Sequence, residues 1–448
     1  MIARYTPKVL GKHWSLKVKY NTWLKVSLAI LWAKATMGMI SWEAYKLIKR
    51  HARVSVPRIT ELDEGPNGFN HDMNAFNEQI KESLRARGVP EEIIALFNQA
   101  VTSYDIEDSA FSLLLVEAGS IILPALRTLV ETLRDRASQH TQTILMGITH
   151  GQPAEVTTLA LKLLNFVDML ERDVERITTA QEAMRYGRLA GAVGNHGHLG
   201  TELERLVMGK LGLKSPRIST QILHRDRHSA YMDAFALLAE NLGHIGHNLW
   251  LMCQFPRMEA REPFRKGQRG STQMPHKKNP IMLERMCGMV VVVRHDSMMI
   301  RTAVTTDDER SISQSCIERI AWPDGTCLVL YMLEKLTGIV GKIQFFDETM
   351  ERNISFTRGV LASSYIKDLL LGKGVTKLNY DDRELETYEW VQVCAFETWD
   401  NESHMRDTVV NRGILEFMTE EELDACFDNR RHLDHVGEVY ERFFDAVV

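Results

Sequence analysis

Apolar residues along this chain recur mainly at alternating three- and four-residue steps, the spacing that lines one face of an α-helix. Between Asp108 and Arg136 they fall at Leu115, Ala118, Ile122, Leu126, Leu129 and Leu133, which predicts one long helix kinked at Pro124. The same alternation runs through Leu163, Val167, Leu170, Val174 and Ile177, and again through Phe235, Leu238, Leu242, Ile245, Leu249 and Met252. A fourth helix is expected after Pro280, through Met286, Met289, Val293 and Met298. No stretch alternates with period two between hairpin turns, so the expected fold class is all-α, with a long central helical bundle.

Punctuation of the pattern divides the chain into three expected domains. Ser55 to Phe69, with Pro57, Gly65, Pro66 and Gly68, reads as a loop in an N-terminal helical domain of residues 1–100. The central bundle takes residues 101–346. Past Asp347 the apolar pattern shortens and charge density rises, as in Thr419-Glu-Glu-Glu-Leu-Asp, so residues 347–448 are expected to form a C-terminal helical domain. Repeats and low-complexity tracts are absent from the sequence.

Composition changes this picture little: 448 residues, 44% of them hydrophobic, are enough to bury a large core. The net charge of -5 gives no global positive field, which argues against nucleic acid or an anionic membrane as partner. An anionic small molecule would have to be held by locally placed cations. The six cysteines stand apart without Cys-x-x-Cys pairs or metal-ligand spacing, and the first residues lack an apolar leader core. A reduced, cytoplasmic protein is expected. His224 with His228 and His244 with His247 lack a carboxylate-rich third-ligand motif, so no metal site is expected there. The glycines between Gly191 and Gly197 follow no strand and do not have dinucleotide-site spacing.

The densest chemistry lies in Gly270-Ser271-Thr272-Gln273-Met274-Pro275-His276-Lys277-Lys278-Asn279-Pro280, which places a hydroxyl, an amine and an amide within nine residues. Gly267 to Pro275 should be a mobile loop able to close over a substrate, and Asn279-Pro280 should open a helix with proline in its first turn. This set suits removal of a proton beside a carboxylate. The segment resembles the signature of the fumarase/aspartase superfamily of lyases, Gly-Ser-Ser-x-Met-Pro-x-Lys-x-Asn-Pro, and departs from it at Thr272.

Further stretches are similar to the adenylosuccinate lyase branch of that superfamily. They are Met1-Ile-Ala-Arg4-Tyr5, Asn70-His71-Asp72-Met73-Asn74-Ala75-Phe76, Thr102-Ser103-Tyr104-Asp105-Ile106-Glu107-Asp108 and Thr149-His150-Gly151-Gln152-Pro153-Ala154-Glu155. Ile218 to Gln221, Arg225 to His228, Glu309 to Ser315 and the two C-terminal segments Glu421 to Asp428 and Asp434 to Arg442 also fit, so the likeness spans nearly the whole chain.

The resemblance implies a three-domain, all-α fold, a homotetramer whose active sites draw on three subunits, and β-elimination of fumarate from a nucleotide substrate without cofactor or metal. It implies Ser271 as the base, with Lys277 and Asn279 stabilising the aci-carboxylate formed by proton loss. His150 becomes the acid that protonates the departing nitrogen, and Glu284 the carboxylate that pairs with it. Arg4, Tyr5, Arg285, Arg310 and Ser315 are implied at the nucleotide end, and Asn70, His71 and Asp72 beside the phosphate and ribose. Thr102, Ser103, Thr149 and Gln221 fall toward the succinyl group and the reacting centre. The chain also departs from the branch at Gln314, at Asp307-Asp308, at Asn195, and at Tyr365, where relatives carry the arginine of a Ser-x-Arg segment. Alternatives are another lyase of the superfamily, such as argininosuccinate lyase or carboxymuconate cycloisomerase, and a relative kept as a scaffold.

Overall fold

The computed structural model describes residues 2–445, and they are mainly helical. The four expected long helices are Ser103–Ser138, Leu159–Ala183, Asp226–Cys253 and Ile281–Thr302. Their predicted inner faces are buried with two departures: Val174 is half-buried, and Met298 is 56% exposed. Pro124 lies inside the first of these helices. The sequence pattern did not single out a fifth long helix, Ser313–Val340, which carries Pro323 in its interior and charged Glu318 and Arg319 in its second turn.

Two local expectations are corrected. Ser55 to Phe69 is not all loop, because Val56–Glu64 is a helix. Pro57 sits in its first turn, where a missing N–H breaks no helical hydrogen bond. A β-hairpin is also present: β1 (Ile144–Thr149) pairs antiparallel with β2 (Gln152–Thr158). Its register is irregular between Met146 and Ile148, and Pro153 lies in β2, so the period-two pattern is blurred. Two other two-stranded pairings are shorter, Lys377–Tyr380 with Arg383–Glu386 and Ala260–Arg261 with Gln344–Phe345.

The chain divides into two compact units. One comprises Met1–Glu131, Asp168–His247 and Ile281–Gly338; the other comprises Thr132–Val167, Asn248–Pro280 and Ile339–Val448. In the first unit an aromatic group holds the N-terminal helices together. Tyr20 stacks on Phe76 with centroids 6.2 Å apart, and Trp23 meets the same ring edge-on at 5.5 Å. Elsewhere in that unit Trp322 is fully buried against Tyr231, Phe235 and Phe111. The second unit has its own core around Trp390, Ile366, Leu370, Met405 and Ile414. Ser103–Ser138 is the one helix among the described residues long and apolar enough to cross a membrane, but most of its apolar window is buried in protein.

Buried charge fixes the start of the Ser103–Ser138 helix. The Asp105 carboxylate accepts hydrogen bonds from the N–H groups of Thr102 at 3.0 Å, Ala190 at 3.0 Å and Gly191 at 3.1 Å, and pairs with Arg188 at 2.9 Å. One turn on, Arg225 spends all five guanidinium donors. It bonds Asp108 at 2.8 and 3.1 Å, Glu318 at 2.7 and 3.2 Å, and the Leu223 carbonyl at 2.8 Å. Burial pushes the Glu318 carboxyl above its ordinary pKa even with Arg225 opposing, so desolvation is the larger effect here. Truncating one partner of such a cluster leaves a buried charge exposed to no water. Arg225→Leu is therefore expected to cost about 3–5 kcal/mol of unfolding free energy. Urea denaturation measures it, and a wild-type midpoint would contradict the assignment.

Candidate active site

Several residues singled out from the sequence are brought together within the first unit. His71, Thr102 and Ser103 line one cavity of about 240 Å³, with Asn74 and Asn77. His71 is the N-cap of the Asp72–Arg85 helix, its Nδ1 accepting from the Asn74 N–H at 3.5 Å. That role leaves the ring proton on Nε2. Asn70, just before it, takes a left-handed backbone at φ 46°.

Asp72 and Ser315 line a second cavity, of about 390 Å³. Here Asp72 Oδ2 accepts from Lys19 Nζ and Arg319 Nη2, both at 2.8 Å. Burial works against the charge on Asp72, but Lys19 and then Arg319 outweigh it and hold the carboxyl below its ordinary range. Neither Lys19 nor Arg319 was picked out from the sequence, since a lysine or arginine on a helix usually marks only a solvated face. Arg310 donates to Gln221 Oε1 at 3.0 Å and lies 3.7 Å from the centre of the Tyr104 ring. Tyr5 and Arg285 meet in a further cavity, where Arg285 donates to the Tyr331 hydroxyl at 2.9 Å. Arg4 lies over the Tyr5 ring at 6.0 Å. Glu284 occupies the first turn of the Ile281–Thr302 helix.

The second unit carries the acid and base candidates. His150 and Gly151 are the two turn residues between Thr149 and Gln152, which pair as the last rung of the hairpin. Both have positive φ, 52° and 77°, as a tight type I′ turn requires. Glycine adopts this backbone without cost; a histidine there is strained and is held by the surrounding ladder. The turn leaves His150 exposed at the tip.

Gly267 to Pro280 has no helix or strand and is largely exposed. Its two sides are tied by Asn279 Nδ2, which donates to the Gly270 carbonyl at 2.8 Å. Pro280 lies just outside the helix that begins at Ile281. Ser271 Oγ accepts from the Met274 N–H at 3.1 Å. A donor aimed at that oxygen favours the alkoxide a serine base must reach. Arg265, Lys266, Arg269, Lys277 and Lys278 all fall between Glu262 and Glu284 with no acid among them, so an acidic chain presents a cationic loop. No hydrogen bond joins His150 to Ser271 among the described residues. No group of three or more His, Cys, Asp or Glu side chains able to hold a metal occurs among them either.

The fold and this loop define a lyase. A family model described as "Lyase" matches residues 4–294, and a second, described as the adenylosuccinate lyase C-terminus, matches residues 382–443. Solved structures of similar fold include a fumarate lyase from Mesorhizobium sp. BNC1 (TM-score 0.86, 20% identity, 99% of both chains). A 3-carboxy-cis,cis-muconate lactonizing enzyme from Pseudomonas putida also shares the fold (TM-score 0.85, 23% identity, 98% of this chain and 97% of that one). The adenylosuccinate lyases of Thermotoga maritima and Bacillus subtilis are each 35% identical to this chain and aligned over 99% of both sequences. The chain belongs to the adenylosuccinate lyase family.

Two predictions follow the geometry. A Cβ on Gly270 would lie 2.0 Å from the Lys277 carbonyl oxygen, so Gly270→Ala must force the sides of the loop apart. Turnover should fall roughly 10- to 100-fold by misplacement, with the melting temperature nearly unchanged. Steady-state kinetics beside calorimetry tests this, and unchanged kcat would refute it.

The second concerns Glu107, which lines the Asp72 cavity 3.9 Å from Arg319. Burial, then repulsion from Asp72, pushes its carboxyl up from 4.5 to about 7. Between those values the folded protein keeps a proton that the unfolded chain has released. The contribution to stability is therefore full below pH 4.5 and is lost as pH rises toward 7. Glu107→Gln should raise the melting temperature relative to wild type more at pH 8 than at pH 5, and the reverse order would exclude this ionisation.

Proposed function

We propose that this protein eliminates fumarate from adenylosuccinate, leaving AMP, and from succinylaminoimidazole carboxamide ribotide, leaving the carboxamide. The observation that carries the proposal is the signature loop, in which Ser271 faces a backbone donor and Asn279 ties the loop shut beside Lys277. The Cβ proton next to a carboxylate is weakly acidic, and its loss makes a dianion. Ser271 removes that proton as an alkoxide. Lys277 and Asn279 stabilise the aci-carboxylate as it forms, where their interaction with the transition state exceeds that with the ground state.

His150 then delivers a proton to the departing nitrogen, and Glu284 pairs with its ring and favours the charged acid. Arg4, Tyr5, Arg285, Arg310 and Ser315 hold the nucleotide end. Asn70 and His71 stand beside the phosphate and ribose. Asp72 serves there through the cations it holds, since its own charge would repel a phosphate while Lys19 and Arg319 attract one. Thr102, Ser103, Thr149 and Gln221 receive the succinyl part. The mechanism calls for no cofactor and no metal.

The protein works as a homotetramer with shared sites, in three domains of residues 1–100, 101–346 and 347–448. Support for assembly comes from Leu237, Val291, Val292, Met298 and Ile320, large apolar side chains left exposed on the long helices of the first unit. The six free cysteines suit the reducing cytoplasm.

Complementation tests both the roles and the sharing. His150→Ala and Ser271→Ala proteins should each be inactive alone. Co-refolded in equal amounts, about a quarter of sites should draw both groups from unmutated positions, because each residue comes independently from a different protomer. Fumarate release from adenylosuccinate is the readout. No recovery in mixtures shown by mass to have exchanged subunits would end the shared-site reading.

A further inference from the structure

The hairpin that carries His150 has little to hold it up by itself. A two-stranded ribbon is marginal in water. This one breaks register between Met146 and Ile148, includes a proline, and keeps a histidine in the left-handed region at its turn. Its stiffness must come from what packs against it within the second unit. At the base, Ile144, Met146 and Val156 pack on Ile354 and Leu361. Thr143 donates to Asp347 at 3.1 Å, and the Tyr440 hydroxyl shares a hydrogen bond with Thr158 and donates to the Thr141 carbonyl at 3.3 Å.

Further along, β2 packs against the turns Val360–Ala362 and Asn429–Leu433. Glu155 Oε2 lies 3.9 Å from Nδ1 of His432, in the Asn429–Leu433 turn. That is too long for a hydrogen bond, and burial holds the His432 ring below its ordinary pKa against the pull of Glu155, so the contact is packing of a largely neutral ring beside an exposed carboxylate. The His432 side chain is only 4% exposed and meets the Tyr365 ring edge-on at 4.7 Å. Arg431, beside it in the chain, places its guanidinium 5.0 Å from the centre of the same tyrosine ring. Tyr365 feels both charges: burial first, then Glu155, raise its phenol, while Arg431 opposes them. Three residues separate Glu155 from the start of β2, about 10 Å of strand. A shift at Glu155 therefore moves the His150 turn.

We propose that Glu155, His432, Tyr365 and Arg431 form a clamp that positions His150, and that Arg431 supplies the cation lost where Tyr365 replaces the arginine of the family pattern. Arg431 sets one positive charge against the Tyr365 ring, where it acts in the opposite sense to Glu155. Tyr365 is thus a compensated departure. These are positioning residues: none touches the reacting atoms, and each acts through the backbone of β2. The C-terminal segment, which contributes no acid or base of its own, then sets the turnover rate.

The proposal rests on His150 as the acid, so the experiment includes His150→Ala as a separate arm. In the full-length enzyme, His432→Ala and Tyr365→Ala should lower kcat roughly 10- to 100-fold, the cost of sub-ångström to ångström misplacement, with KM within about twofold. Hydrogen exchange across residues 144–158 should speed up in both. Tyr365→Phe, which keeps the ring, should stay near wild type. Tyr365→Arg alone sets two guanidinium groups against each other and should be impaired, whereas adding Arg431→Tyr should bring kcat back to within about threefold of wild type, a coupling that a double-mutant cycle measures directly.

If His432→Ala and Tyr365→Ala keep wild-type kcat while His150→Ala is dead, the clamp is refuted and the acid assignment stands. A loss of activity that merely tracks the unfolded fraction, with kcat per folded enzyme unchanged, also refutes it. Full activity in His150→Ala would remove the acid assignment itself, and the clamp with it. Failure of the exchanged pair to recover, beside impaired single variants, would overturn the compensation by Arg431.

Discussion

The first unit depends on a guanidinium taken out of water. Arg225 bridges Asp108 of the Ser103–Ser138 helix and Glu318 of the Ser313–Val340 helix, and spends its last donor on the Leu223 carbonyl. One turn earlier, Asp105 gathers Thr102, Ala190, Gly191 and Arg188. Replacing such a cluster with hydrocarbon often costs nothing in stability, so its value lies in register. A hydrophobic contact tolerates sliding by a turn; a fully satisfied five-donor fork does not. Thr102 and Ser103 start one of the bridged helices, Ser315 and Arg319 flank Glu318 on the other, and Gln221 precedes the segment that carries Arg225. The buried charges thereby fix residues from three distant stretches of sequence, the stretches proposed to meet one substrate.

The second unit meets a different demand. Its hairpin tip and its signature loop carry the groups assigned to acid and base, and each is held in its own way. The hairpin is stiffened from behind by Ile354, Leu361, His432 and Tyr440. The loop closes on itself through Asn279 and the close approach of Gly270 to the Lys277 carbonyl. A proton donor benefits from a fixed position, whereas a segment that must admit and release substrate benefits from a short internal tie and an exposed surface.

Electrostatics connects these arrangements. The chain is net acidic, yet the loop from Arg265 to Lys278 holds five cations and no acid, and Asp72 is flanked by Lys19 and Arg319. A multiply charged anion would find local attraction at these places despite the net negative charge. Salt screens the field of the exposed loop more than that of Lys19, which is half-buried against Asp72.

Periodicity alone determined the helical character of the chain and four of its long helices, because a buried helix face needs apolar residues every third or fourth position whatever surrounds it. The loop chemistry of Ser271, Lys277 and Asn279 was equally legible, since it is confined to one short segment. The hairpin under His150 was hidden by a register break and a proline, and the Val56–Glu64 helix by the proline and glycines that in fact delimit it. Lys19, Arg319 and the pairing of Tyr365 with Arg431 could not be read in advance. A lysine, an arginine or a tyrosine has the same local preferences in a solvated face as in a cavity wall. Their roles come from partners tens to hundreds of residues away, and only the tertiary structure, by deciding which charges lose their water together, chose those partners.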